Sequence, residues 1–179
     1  FSRSFPDVHV RVQNEDETNE PNDFDFHLPM GSLFKYFMPQ IFQKTTSKPF
    51  LMVDPLKVKK WRERLKSLGR GPYVGISWKS PVVTPQRSQN YTKISDWEPV
   101  LSKTDVTYIN LQSTDFQRDI KNMEKQFGSV VHNFDELNHY DCLDDVAALC
   151  VALDVCISVS TAVAAISAGV GTRTKLILW

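Results

Sequence analysis

Five near-continuous apolar runs, separated by segments of helical period, dominate the second part of this chain: YVGISW (73–78), VTYINLQ (106–112), SVVHNF (129–134), DVCISV (154–159) and TKLILW (174–179). A strand that is apolar at successive positions, rather than at alternate ones, is buried on both faces. Strands of that kind alternating with helices specify a parallel sheet covered on both sides. The intervening segments carry helix punctuation. Asp54-Pro55 supplies an N-cap and a first-turn proline before LKVKKWRERLKSLG, with Leu56, Trp61, Leu65 and Leu68 on one face and Gly69 as the stop. Ser95-x-x-Glu98 reads as a capping box, Thr114-x-x-Gln117 as the start of a helix to Phe127, and Asp144 and Asp145 as the cap and first-turn charges of another. The predicted class is therefore α/β, a Rossmann-like parallel sheet of about five strands with helices on both faces.

The stretch Leu143–Trp179 points to chemistry. The strand DVCISV delivers a Ser160-Thr161 turn onto the small-residue helix AVAAISAGVG. The first-turn N–H groups of such a helix have no partner within it, and the helix dipole favours negative charge there, so the turn is suited to a phosphate. If the strands lie in the order 3-2-1-4-5, the order reverses between the first and fourth runs, and ligands of such sheets sit outside the carboxyl ends at that reversal. Two loops then meet: Lys79–Thr92, with Lys79 and Arg87, and Ser158–Thr161, with hydroxyls and a helix N-terminus. Both favour an anion.

Composition removes several classes. Lys+Arg and Asp+Glu balance at 21 each, so no global basic footprint for nucleic acid or membrane exists. No apolar run approaches the roughly 18–20 residues of a membrane span. Cys142, Cys150 and Cys156 form no C-x-x-C pair; Cys150 and Cys156 sit within apolar runs and read as buried thiols of a reducing, cytoplasmic compartment. His139 and Asp141 share a loop with no ligand at metal spacing, so no metal site is expected. Gly69, Gly71 and Gly75 do not compose a dinucleotide fingerprint, and there is no P-loop, so no cofactor is expected.

Residues 1–53 differ in texture. Val8, Val10 and Val12 suggest a short strand, Asn14–Asp25 a polar loop, and Ser32–Phe37 one or two helical turns between Pro29 and Pro39. They read as the tail of an upstream domain and a crossover, with 54–179 as a nucleotide-sugar-binding domain truncated at its C-terminus. The chain opens on Phe1 and stops on an apolar strand, and is read as incomplete.

Taken in order, YVGISW with its positive loop, YTKISDWEPVL (91–101), YINLQ (108–112), DCLDDVAALCVALDVCIS (141–158) and TAVAAISAGVG (161–171) resemble the C-terminal half of GT-B glycosyltransferase-like domains of tetratricopeptide repeat proteins. These are relatives of the O-linked N-acetylglucosamine transferase and heptosyltransferase groups. The upstream FDFHLPMGSL (24–33) and DPLKVKKWRERL (54–65) match the family's interdomain segment. The resemblance implies a nucleotide-sugar donor in this half and an acceptor, protein or glycan, in an N-terminal half. It implies donor contacts from Lys79, Ser80, Arg87, Gln112, Ser160, Thr161 and Ala162, possible tetratricopeptide repeats in the same polypeptide, and a catalytic base elsewhere. Two positions depart from the family: an acid and a His of the phosphate turn are replaced by Ser160 and Ala165.

Alternatives stand beside these roles. Ser160 and Thr161 are also good N-cap residues, Lys79 and Arg87 ordinary loop cations, and Gln112 a bracket for backbone groups. His132 could border a base, and His27 is disfavoured as a general base. The chain by itself is expected to be inactive. The second functional reading is a non-catalytic interaction or nucleotide-binding module that has kept the fold.

Overall fold

The computed structural model describes residues 1–11, 24–43, 48–80, 92–114 and 116–178. The chain divides into two units, Phe1–Lys48 and Pro49–Trp179. In the first, a 3-10 turn Met30–Ser32 leads into helix α1, Leu33–Gln43. This helix is longer than the one or two turns expected, and it continues through Pro39, which removes one backbone donor without ending the segment. The strand expected at Val8–Val12 is not found: residues 1–11 are turns and bends, and Val12 lies outside the described residues. With no partner strand among the described residues, an alternating run has no ladder for its backbone hydrogen bonds.

The second unit opens at Pro49, because the Phe50 and Leu51 N–H groups both donate to Gly169 O at 2.9 Å. Helix α2, Pro55–Lys66, starts as expected: Asp54 Oδ1 accepts from Leu56 N–H at 2.8 Å, and proline occupies the first turn. There follow β1 (Tyr73–Ser77), a 3-10 turn Ile94–Trp97, α3 (Glu98–Leu101), β2 (Thr107–Asn110), α4 (Gln117–Phe127), β3 (Val131–His132), α5 (Leu143–Ala152), β4 (Val155–Ser158), α6 (Ala162–Gly169) and β5 (Thr174–Leu176). All five strands pair in parallel, in the order β3-β2-β1-β4-β5. The α/β class and the strand order are thus those expected.

Three caps differ from the expectation. The turn at Ile94 is closed by Asp96, whose Oδ2 accepts from Lys93 N–H at 2.8 Å, so Ser95 lies inside the turn. Helix α4 starts after Phe116 with no side-chain cap, and ends on Gly128 in the left-handed region, φ 73°. Helix α5 likewise starts after Cys142 without a side-chain cap, so Asp144 is not the cap but lies with Asp145 in the first turn, where their charges are expected.

Each sheet face has its own core. Trp61 and Leu65 of α2, Ile109 and Leu111 of the β2 run, Phe134, and Leu149 and Cys150 of α5 pack on one side. Trp78, Trp97, Leu101, Tyr108, Met123 and Val131 pack on the other. Cys150 and Cys156 are buried free thiols, and burial pushes both upward in pKa; Cys142 is exposed.

The central strand allows close packing at Gly75. A Cβ there would sit 2.5 Å from Leu111 Cδ1 and 2.6 Å from Leu153 Cδ1, two core leucines. Gly75→Ala is therefore expected to destabilise the fold by about 1–3 kcal/mol through overpacking. Urea denaturation checks this, and an unchanged midpoint would show that the leucines can give way freely.

Candidate functional site

The strand order reverses between β1 and β4, and the backbone there carries a consistent hydrogen-bond pattern. Ser77 pairs in register with Ser158, and Val159 N–H donates to Ser77 O at 3.0 Å. Outside these carboxyl ends lies a crevice of ≈ 310 Å³, at the lower end of the range for small-molecule sites. Its lining includes Lys79 and Ser80 after β1, Gln112 and Ser113 after β2, His139 and Tyr140 before α5, and Thr161 and Ala162 at the start of α6. Leu111, Leu143, Val146, Val163 and Ile166 supply its apolar wall.

Five of the seven residues expected to contact a donor thus line one crevice: Lys79, Ser80, Gln112, Thr161 and Ala162. Ser160 is exposed and is not among the lining residues. Arg87 lies outside the described residues.

The local chemistry of these residues is specific. Lys79 Nζ is 2.8 Å from Asp119 Oδ2 on α4, and the same oxygen accepts from Trp78 Nε1 at 2.8 Å. The Lys79 charge is therefore partly balanced. Gln112 is buried and works as a brace: its Oε1 accepts from the Trp78 and Lys79 N–H groups at 3.2 and 3.1 Å, tying the end of β2 to the end of β1. Asn110 shapes the same corner, accepting from Gln112 N–H at 2.9 Å and donating to Asn133 Oδ1 at 2.9 Å. Thr161 occupies the N-cap position of α6 but makes no side-chain cap. Its Oγ1 is instead 3.0 Å from Ser158 Oγ.

Sequence reasoning did not anticipate His139. Considered only as a metal ligand, it in fact lines the crevice. Asn138 fixes its loop, with Oδ1 accepting from the N–H groups of Tyr140 (2.9 Å) and Asp141 (3.0 Å) and Nδ2 donating to Asp141 Oδ2 at 2.8 Å. Both imidazole nitrogens are shut off from solvent without a hydrogen-bond partner, and desolvation lowers the ring's pKa to about 4. A buried polar group left unpaired costs about 1–3 kcal/mol, so this position is energetically unfavourable for a histidine. Among the described residues no cluster of His, Cys, Asp or Glu could hold a metal ion, and no helix is long and apolar enough to cross a membrane.

Comparison with known proteins adds the following. A solved glycosyl transferase family 9 protein from Veillonella parvula DSM 2008 superposes with a TM-score of 0.57, covering 81% of this chain and 42% of that one at 12% sequence identity. This chain has a glycosyltransferase-like fold. Protein FlbA of Caulobacter vibrioides is 32% identical over 183 residues, which cover 96% of this chain. The chain spans about a third of that curated relative's length, 31%. No family model matches the sequence.

Proposed function

We propose that this chain is the donor-binding half of a GT-B-type glycosyltransferase and holds the diphosphate of a nucleotide-sugar in the crevice at the β1–β4 reversal. The observation that carries this reading is the convergence of Lys79, Ser80, Gln112, Thr161 and Ala162 on one cavity in a glycosyltransferase-like fold. A metal-free site of this kind assists transfer by stabilising negative charge on the departing diphosphate with preorganised donors. The α6 N–H groups and the hydroxyls of Ser80 and Thr161 are suited to that task, with Arg87 as the further cation. The base that activates the acceptor belongs to the other half of the enzyme. A reducing, cytoplasmic setting fits the free thiols, and tetratricopeptide repeats in the same polypeptide are part of the proposal. The Lys79–Asp119 pair, together with Ser160 and Ala165, favours the second reading, a binding module without catalysis.

Calorimetric titration of uridine- and guanosine-diphosphate sugars separates the readings. A charge-assisted contact to phosphate is worth about 1.5–3 kcal/mol. Arg87→Ala is therefore expected to weaken binding roughly ten- to a hundredfold with little change in stability. Thr161→Ala should cost less, since the helix N–H groups remain. Unchanged affinity in Arg87→Ala would remove that residue from the site, and no binding to the unaltered protein would favour the interaction module.

A further inference from the structure

His139 sits on the crevice wall with no hydrogen bond for either ring nitrogen, although every neutral imidazole carries one donor and one acceptor. Its loop does not leave it there by slack. The Asn138 side chain holds three contacts to Tyr140 and Asp141, and Cys142 N–H donates to Asn138 O at 3.1 Å, so the backbone on both sides of the ring is tied. The residue as a whole is half-buried while both nitrogens are enclosed. A half-turn about the Cβ–Cγ bond exchanges each nitrogen with a ring carbon, and so changes what the ring offers without moving the loop.

The composition of the wall selects the ligand. Besides His139, its polar members among the described residues are the ammonium of Lys79, the hydroxyls of Ser77, Ser80, Ser113, Tyr140 and Thr161 and the amide of Gln112; none is a carboxylate. Asp119 already offsets the ammonium of Lys79. Besides Lys79, His139 is the lining residue among those described that can carry positive charge toward a doubly charged oxyanion placed here.

We propose that His139 is an oxyanion-binding residue of this crevice, donating a hydrogen bond to a phosphate-type oxygen of the ligand and holding a proton while it does so. The proton comes from solvent on binding and returns there on release. Among the described residues the titratable groups around it are few. Lys79 and Tyr140 line the crevice with it, and Asp119 pairs with Lys79. Asp141 is engaged by Asn138, and Asp144 and Asp145 on α5 face Lys57. The lining positions of α6 add none. Desolvation keeps the ring neutral near pH 7, its pKa lying at about 4, and an adjacent anion opposes that effect. The inference rests on the donor-site reading only for the ligand's class.

Sulfate is a suitable probe, because it mimics phosphate but does not itself titrate near neutral pH. Ring-nitrogen NMR on the full chain, with His139 assigned by its absence in His139→Gln, follows the residue beside His9, His27 and His132. In saturating sodium sulfate, against sodium chloride at equal ionic strength, the His139 midpoint is expected to rise by roughly 1–3 units. The other three histidines should not follow. Sulfate affinity should fall by up to about tenfold per pH unit as the bound-state midpoint is approached from below, and the His139→Gln variant should lose that dependence. Uridine- and guanosine-diphosphate sugars form the second arm. A His139 response to sulfate but to no nucleotide-sugar supports the inference and overturns the donor reading. Nucleotide-sugar binding with His139 unmoved does the reverse. No response of His139 to either overturns the inference.

Discussion

Trp61→Ala is expected to destabilise the second unit by about 3–5 kcal/mol, the range for removing a buried aromatic ring. Trp61 lies on α2 at 1% exposure, its ring centroid 5.1 Å from that of Phe134 with the planes tilted at 54°. Phe134 begins the loop that carries His139, so the same cavity would loosen the crevice wall. The ion pairs along this seam cannot compensate. Lys57 bridges to Asp145 at 2.5 Å and to Asp144 at 3.5 Å, and Arg64 to Glu136 at 2.9 Å, but these are surface pairs contributing about 0–1 kcal/mol each. Trp61→Phe makes the informative contrast. The indole Nε1 is buried without a partner, so phenylalanine keeps most of the ring and removes an unpaired donor. Urea denaturation of both variants at one pH is the check. A Phe variant as unstable as the Ala variant would mean that the full indole shape, not ring burial alone, supports the seam.

The sheet was legible because its strands are buried on both faces and read as unbroken apolar runs. YVGIS, TYIN and VCIS are strands almost to the residue, and Asp54-Pro55 marked a helix start that the backbone confirms. Where only two residues pair, as in Val131–His132, the apolar run SVVHNF overstated the strand, since Phe134 is used for core packing and not for the ladder. The caps failed for a local reason. Ser95 and Thr114 are plausible capping residues, yet Asp96 closes one turn and the other helix begins uncapped at Phe116. The site was legible as a place rather than as a set of bonds. Loop composition located the crevice, but the Lys79–Asp119 pair joins residues 40 apart and the Gln112 brace spans 33 from Lys79, partnerships that no local motif encodes. His139 was missed because its character comes from enclosure. Only the folded loop around Asn138, packed beside the apolar wall of the crevice, makes an ordinary loop histidine a neutral, unpaired one.

That enclosure has a second measurable consequence, in stability against pH. In the unfolded chain the imidazole titrates near 6.5, whereas in the fold its pKa is about 4. Between these values the unfolded state binds more protons, so stability must fall as pH falls. The contribution is full above pH 6.5, declines through the interval, and is exhausted below about 4. At 1.36 kcal/mol per unit, the gap corresponds to about 3 kcal/mol as a ceiling, since the residue keeps some surface. Other groups titrate too. Glu136, held below the usual carboxylate range by its hydrogen bond from Arg64, also loses stability in acid, though its window opens lower. Lys57, raised chiefly by its hydrogen bond to Asp145, acts only at high pH. The difference between wild type and His139→Gln isolates the histidine, because glutamine is a polar side chain of similar reach that cannot titrate. Urea denaturation at closely spaced pH values from 4 to 7.5 should show the wild type losing up to about 3 kcal/mol more than the variant, nearly all of it between pH 6.5 and 4. Parallel curves would mean that the ring reaches water without the fold opening, and that its enclosure costs the folded state nothing.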